Sequence, residues 1–282
     1  MRFNIREMAK GVRSSSNGST ERHYLSVESE DLDTAFYSNQ VRWHTFTKTK
    51  MKALESLDLR GYEFVLDLGC GQGHFLKLLH DTYPAVVRIG IDINSCDLRK
   101  AKKRNADDNC GFVLCDAGHL PFKDACFERA TATAILEHVV DERSVLVEVS
   151  RMLSDGGFAV IDVPGAYHLQ NRLSDFFVKR YGVFPFHREY TTRRIMNAIQ
   201  RAGFHVKTFT TARFEGSFLL PIVETIILSN GRKIVWCKGR LARLVCGVGD
   251  RMTLIFGSRQ YLKLLGGSWF FKITKDNKPS AR

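Results

Sequence analysis

The segment Val65-Leu66-Asp67-Leu68-Gly69-Cys70-Gly71-Gln72-Gly73 runs from an apolar stretch into three glycines that open a helix at His74. Glycine lets the backbone turn sharply and lets a ligand come within contact distance, while a helix N-terminus offers unpaired N–H groups. This is the chemistry of a ligand-binding turn. Asp92 and Asp116 then close the next two apolar runs. A carboxylate at the end of the second strand can accept both hydroxyls of a ribose, and one at the end of the third can accept from an adenine amino group. One strand-end aspartate is often just a turn cap. Three acids, Asp67, Asp92 and Asp116, in register with three successive strands point instead to a nucleoside site. The glycines are spaced Gly-x-Gly-x-Gly, unlike the Gly-x-Gly-x-x-Gly of dinucleotide folds.

The elements that must position these residues follow from periodicity. Residues 64–68, 86–91, 112–115, 130–133 and 158–163 read as strands. Between them fall a helix opened by the glycines, a second helix over 95–104 capped by Ser95, and a third over about 141–153. The third carries Val145, Val149, Met152 and Leu153 at helical spacing and is stopped by Asp155-Gly156-Gly157. Residues 32–57 suit one or two further helices, 192–202 another, and 205–209 and 269–274 two last strands. Strands alternating with helices imply a parallel sheet covered on both faces. The expected fold is α/β, a doubly wound Rossmann-like sheet of seven strands with a helical insertion before the last strand. The expected organisation is a flexible stretch 1–30, a core 31–211, a basic apolar insertion or substrate cap 212–266, and a last strand and tail 267–282.

On these motifs the sequence resembles the class I methyltransferases that use S-adenosyl-L-methionine (SAM), and within them the small-molecule, type 11 group. VLDLGCGQG is similar to that family's first motif, GIDIN to its acidic second loop and CDAGHLPF to its adenine loop. FERATATAILEHV resembles the fourth strand and the loop after it, RMLSDGGFAVIDVP the fifth-strand block, and FHREYTTRRIMNAIQRAGF a later helix. The resemblance implies SAM as cofactor. It implies that Asp67, Gly69, Cys70, Gly71 and Gly73 form the turn around the methionine moiety, with Asp92 and Ile93 at the ribose. Asp116 and Ala117 would then hold the adenine, and Thr133 would lie under the sulfonium. Glu128 and Arg129 depart from the family pattern, and an arginine on a buried strand requires a partner for its charge. No Asn-Pro-Pro-Tyr follows the fourth strand, which argues against amino-methylation of nucleic-acid bases or protein glutamine.

Methyl transfer from a sulfonium is an in-line displacement that depends on holding the nucleophile close in a water-poor pocket. If the acceptor is a hydroxyl, a histidine is a suitable base because its pKa lies near working pH. His138 is the first candidate by position, with His168 and His187 as alternatives, and a backbone-bonded loop histidine is the competing reading for His138. The stretch containing Tyr167, Phe176, Phe177, Tyr181, Phe184 and Phe186 suits an apolar or ring-bearing acceptor, or a plain core.

The net charge of +12 is local: residues 231–282 hold 12 Lys/Arg against Asp250 and Asp276. Cations interleaved with Leu, Val and Trp236 suit a cap on the pocket, a contact with anionic membrane, or RNA, the last disfavoured by the missing motif. Seven cysteines without a Cys-x-x-Cys pair read as reduced thiols, and no metal site is expected. The first residues lack a signal-peptide core, so a cytoplasmic setting is expected, with peripheral membrane contact open. The expected activity is methyl transfer to a hydroxyl of a small-molecule or lipid-like acceptor. RNA methylation and inactive SAM binding stand as alternatives.

Overall fold

The computed structural model describes residues 40–165, 188–213 and 268–275. The expected stretch 1–30, nearly all of the 212–266 insertion, His168, His187 and the aromatic run from Tyr167 to Phe186 lie outside the described residues.

Seven strands form one sheet: β1 (Phe64–Leu68), β2 (Val87–Asp92), β3 (Cys110–Leu114), β4 (Phe127–Thr133), β5 (Leu153–Pro164), β6 (Phe204–Arg213) and β7 (Ser268–Lys275). Their spatial order is β3-β2-β1-β4-β5-β7-β6. The first five pair in parallel, whereas β7 is antiparallel to both β5 and β6, so the sheet is mixed. Alternation of strands and helices predicts the parallel part. It fails at the end of the chain because β7 inserts between β5 and β6.

Among the described residues five helices cover the sheet: α1 (Gln40–Ser56), α2 (His74–Thr82), α3 (Ser95–Arg104), α4 (Glu142–Met152) and α5 (Thr192–Arg201). Alternate residues of the strands separate two cores, as a pleated sheet buried on both faces requires. Val65, Phe158, Val160 and Phe270 pack with Ala53, Leu54, Phe75, Leu76 and Leu98 of α1, α2 and α3. Leu66, Leu68, Ile161, Val163, Trp269 and Phe271 pack on the other face with Val145, Leu146, Val149, Ile195 and Ile199 of α4 and α5.

Local chemistry sets several boundaries. Asn94, not Ser95, caps α3, its side chain accepting from the N–H groups of Cys96 and Asp97. Asp141 caps α4 by accepting from Arg143 N. Asp155-Gly156-Gly157 ends no loop between separate elements but forms a bulge within β5, where the register jumps from Phe127↔Leu153 to Arg129↔Phe158. β4 begins three residues before the expected start because its two charged residues are satisfied there. Glu128 Oε2 accepts from Phe64 N at 2.8 Å. Arg129 Nε donates to Leu57 O at 3.0 Å, and its guanidinium lies 4.2 Å from the Phe158 ring centroid. That partner set is what a half-buried arginine needs.

Candidate functional site

The strand order reverses between β1 and β4, the point where α/β sheets open a crevice at their carboxyl ends. A cleft of about 470 Å³ lies there. Its walls come from the ends of four strands: Gly69 after β1, Asp92 and Ile93 at β2, Asp116 and Ala117 after β3, and Ala134 and Ile135 after β4. His138 lines the same cleft, with Val139 and Val140.

The glycine turn is built by its backbone. Gly69, Gly71 and Gly73 all have positive φ, at 65°, 50° and 73°, a region that L side chains rarely occupy. Cys70 N donates to Ile91 O at 2.9 Å, and Gly71 N donates to Asp92 Oδ2 at 2.8 Å. The other Asp92 oxygen accepts from Asn94 N at 2.9 Å. Burial pushes the Asp92 carboxyl up from its ordinary range, against the pull of the Asn94, Gly71 and Ile93 N–H groups. Asp92 therefore fastens the turn as well as facing the cleft. Asp116 Oδ1 accepts from Gly118 N at 2.8 Å, which closes a turn beneath Ala117.

The three glycines serve different ends. A Cβ on Gly69 would come within 2.8 Å of the Ile135 side chain, and one on Gly73 within 2.6 Å of Asn105 Nδ2 and 3.0 Å of Ala101. Gly73 thus lets α2 approach α3, and its carbonyl accepts from Asn105 at 3.0 Å. A Cβ on Gly71 would meet nothing within 4 Å.

Gly69, Asp92, Ile93, Asp116, Ala117 and His138 are brought together by the cleft. Asp67, Cys70, Gly71, Gly73 and Thr133 are not on its walls. Asp67 is fully buried, accepts from Thr131 Oγ1 at 2.6 Å and has its carboxyl pushed up by burial. Thr133 is buried and accepts from Lys50 Nζ at 2.5 Å. Cys70 is buried, and burial pushes its thiol well above the ordinary range; Cys110 and Cys115 are pushed up to about 12 for the same reason. All the described cysteines are free thiols. No group of three metal-ligating side chains occurs among the described residues, and no described helix is long and apolar enough to cross a membrane.

The loop that carries His138 is held from behind. Tyr190 donates its hydroxyl to Leu136 O at 2.7 Å, Arg188 N donates to Glu137 O at 3.0 Å, and the Arg188 side chain pairs with Glu142. His138 N donates to Ile135 O at 2.9 Å. Sequence reasoning misses Ala134, a non-glycine residue at φ 56° on the cleft wall, and Lys50, which reaches the end of β4 from α1. Strain of this kind collects at functional sites, but neither feature leaves a signal in residue spacing.

The profile of the methyltransferase-domain family matches residues 66–161, from β1 through β5. Demethylmenaquinone methyltransferase of Thermotoga maritima is 30% identical over 171 residues, covering 59% of this chain and 74% of that protein. The chain belongs to the class I SAM-dependent methyltransferases. Ubiquinone/menaquinone biosynthesis C-methyltransferase UbiE of Desulfotalea psychrophila is 39% identical over 121 residues, 42% of this chain and 49% of that protein. The chain spans about half the length of several of the curated relatives it matches. Phosphoethanolamine N-methyltransferase 2 of Haemonchus contortus, solved with SAM, superposes with a TM-score of 0.59 at 18% identity, over 94% of this chain and 61% of that one. At that identity the likeness is one of fold.

Proposed function

We propose that the chain is an enzyme that moves the methyl group of SAM to a hydroxyl oxygen of a small-molecule or lipid-like acceptor. The observation that carries this is the cleft at the switch point, where Asp92, Asp116, Ala117 and Gly69 converge with His138. The residues fit the cofactor. The Asp92 carboxylate suits a ribose diol, the Asp116–Ala117 turn an adenine edge, and buried Asp67 Oδ2 accepts no hydrogen bond among the described residues. SAM, when bound, supplies an electrophilic methyl on a sulfonium that passes in line to a nucleophile.

The chain's own residues do the remaining work. Asp92 and Ala117 hold the nucleoside, Ile135, Val139 and Val140 give the cleft an apolar wall that suits an apolar acceptor, and His138 accepts the hydroxyl proton. Two relatives named as quinone methyltransferases support a lipid-like acceptor, and the choice of oxygen rests on His138 alone. The test is methyl-labelled SAM supplied to the chain with a mixture of quinol, sterol and phenolic acceptors, RNA and protein. Label entering an organic-soluble product is expected. Label entering only RNA or protein overturns the acceptor class, and no transfer despite SAM binding favours an inactive binder.

The segment 212–266, with its surplus of cations between apolar residues, supports docking on anionic membrane near such an acceptor. Each engaged Lys or Arg contributes about 1 kcal/mol at an anionic surface. Sedimentation with anionic vesicles at low salt should therefore carry the chain down, and Arg240→Glu with Arg243→Glu should weaken it. Failure to bind such vesicles removes the membrane role and leaves a soluble acceptor.

A further inference from the structure

The loop that carries His138 is tied from outside the cleft on both sides of that histidine. Tyr190 donates its hydroxyl to Leu136 O at 2.7 Å, and Arg188 N donates to Glu137 O at 3.0 Å. The Arg188 side chain donates to Val140 O at 3.2 Å and pairs with Glu142, the first residue of α4. The other end of these ties is fixed to the sheet. Tyr190 N donates to Pro164 O at 2.9 Å, and Tyr190 bridges Gly165 just beyond β5. Glu142 pairs as well with Arg194 of α5 at 2.7 Å. Arg188 itself is not on the cleft wall.

Apolar packing already joins α4 to α5 through Val145, Leu146, Ile195 and Ile199. An ion pair is a costly addition there, since Arg188 and Glu142 are 13% and 12% exposed and both must shed water. What the pair adds is direction. An apolar contact tolerates sliding, whereas a hydrogen bond to one carbonyl sets where that carbonyl stands. We propose that Arg188 is a positioning residue for methyl transfer: by pinning the loop at Val140 and Glu142, it holds His138 at the distance from the acceptor that proton transfer needs. The inference rests on the reading of His138 as the base, given above. A base must stand within about 2.6–3.2 Å of the hydroxyl, and a loop displaced by about 1 Å forfeits roughly 100-fold in rate. The nucleoside is held from other walls, by Asp92, Asp116 and Ala117 at β2 and β3. Arg188 therefore governs turnover and not cofactor affinity.

The test is a double-mutant cycle between Arg188 and His138. It is read as S-adenosylhomocysteine affinity by calorimetry and as the rate of label transfer from methyl-labelled SAM to quinol, sterol and phenolic acceptors. Arg188→Met leaves Glu142 paired with Arg194, so it strands no carboxylate and should fold. It should bind S-adenosylhomocysteine as the unmodified chain does, keep the KM for SAM, and transfer methyl roughly 100-fold more slowly. In a His138→Ala background Arg188→Met should cost nothing further, because the group it positions is gone. Arg188→Lys keeps the charge opposite Glu142 but not the fork that also reaches Val140 O, and should give an intermediate rate. Arg194→Met removes an equal charge from Glu142 without touching a loop carbonyl, and should change the rate by no more than about twofold. A full rate in Arg188→Met overturns the proposal; if that variant does not fold, a full rate in Arg188→Lys does so. Losses of Arg188→Met and His138→Ala that multiply, or an equal loss in Arg194→Met, make the pair a plain brace between helices and overturn it too. A full rate in His138→Ala overturns the reading of His138 as the base, and an unmodified chain that binds S-adenosylhomocysteine but transfers no methyl overturns the methyl-transfer reading; this inference falls with either.

Discussion

Gly71→Val should abolish measurable binding of S-adenosylhomocysteine in a chain that still folds. An added Cβ at Gly71 meets nothing within 4 Å, so the protein itself has room for it. The cost to folding is the strain of a β-branched residue at φ 50°, about 1–2 kcal/mol. The cost to binding is larger on the proposed SAM reading, in which the methionyl portion lies against the bare backbone of this turn. It would also strain the segment whose N–H holds Asp92 Oδ2. A loss of at least about 100-fold, some 2.7 kcal/mol, is expected. Gly73→Val is the contrast. There the Cβ would collide with Asn105 and Ala101, so a fall in thermal stability precedes any effect on ligand. Calorimetry and thermal unfolding on the two variants separate a ligand glycine from a packing glycine. Unchanged affinity in folded Gly71→Val removes Gly71 from the site.

Asp92→Ala should weaken S-adenosylhomocysteine by roughly 10- to 150-fold, the equivalent of about 1.5–3 kcal/mol for hydrogen bonds to a charged group. A strand-end carboxylate that only faced ligand would leave stability untouched. The structure adds a second consequence, because Asp92 also accepts from Gly71 N and Asn94 N and ties the glycine turn to the α3 cap. The variant should therefore lose stability as well as affinity. Asp92→Asn, which keeps one acceptor oxygen, should recover part of both. An alanine variant that loses stability but binds S-adenosylhomocysteine as before would make Asp92 a structural tie alone.

Much of this site was legible because parallel strands buried on both faces are continuous apolar runs, and their ends are marked by residues that cannot continue them. Asp92 and Asp116 could be placed at or just after the ends of β2 and β3 for that reason, whereas Asp67 falls within β1 and off the cleft wall, and the glycines between Leu68 and His74 announced the turn. Boundaries failed where polar residues find distant partners. Glu128 and Arg129 do not look like strand, yet Phe64 N, Leu57 O and the Phe158 ring satisfy them. Lys50 was invisible because its partner, Thr133, is 83 residues away and the contact depends on how α1 lies against β4. The positive φ of Ala134 was unreadable for a related reason: alanine carries no mark of the strain that its neighbours impose. The division of labour between Gly71 and Gly73 likewise depends on α3, not on the motif that contains them both.

The most direct test of the account is a crystal structure of the chain with S-adenosylhomocysteine. The account predicts both ribose hydroxyls within hydrogen-bond reach of the Asp92 carboxylate, about 2.6–3.2 Å. It further predicts the adenine against Ala117 beside Asp116, and the sulfur at the end of β4 near Thr133. A nucleoside bound elsewhere on the molecule, or seated in the cleft without touching Asp92, would contradict it.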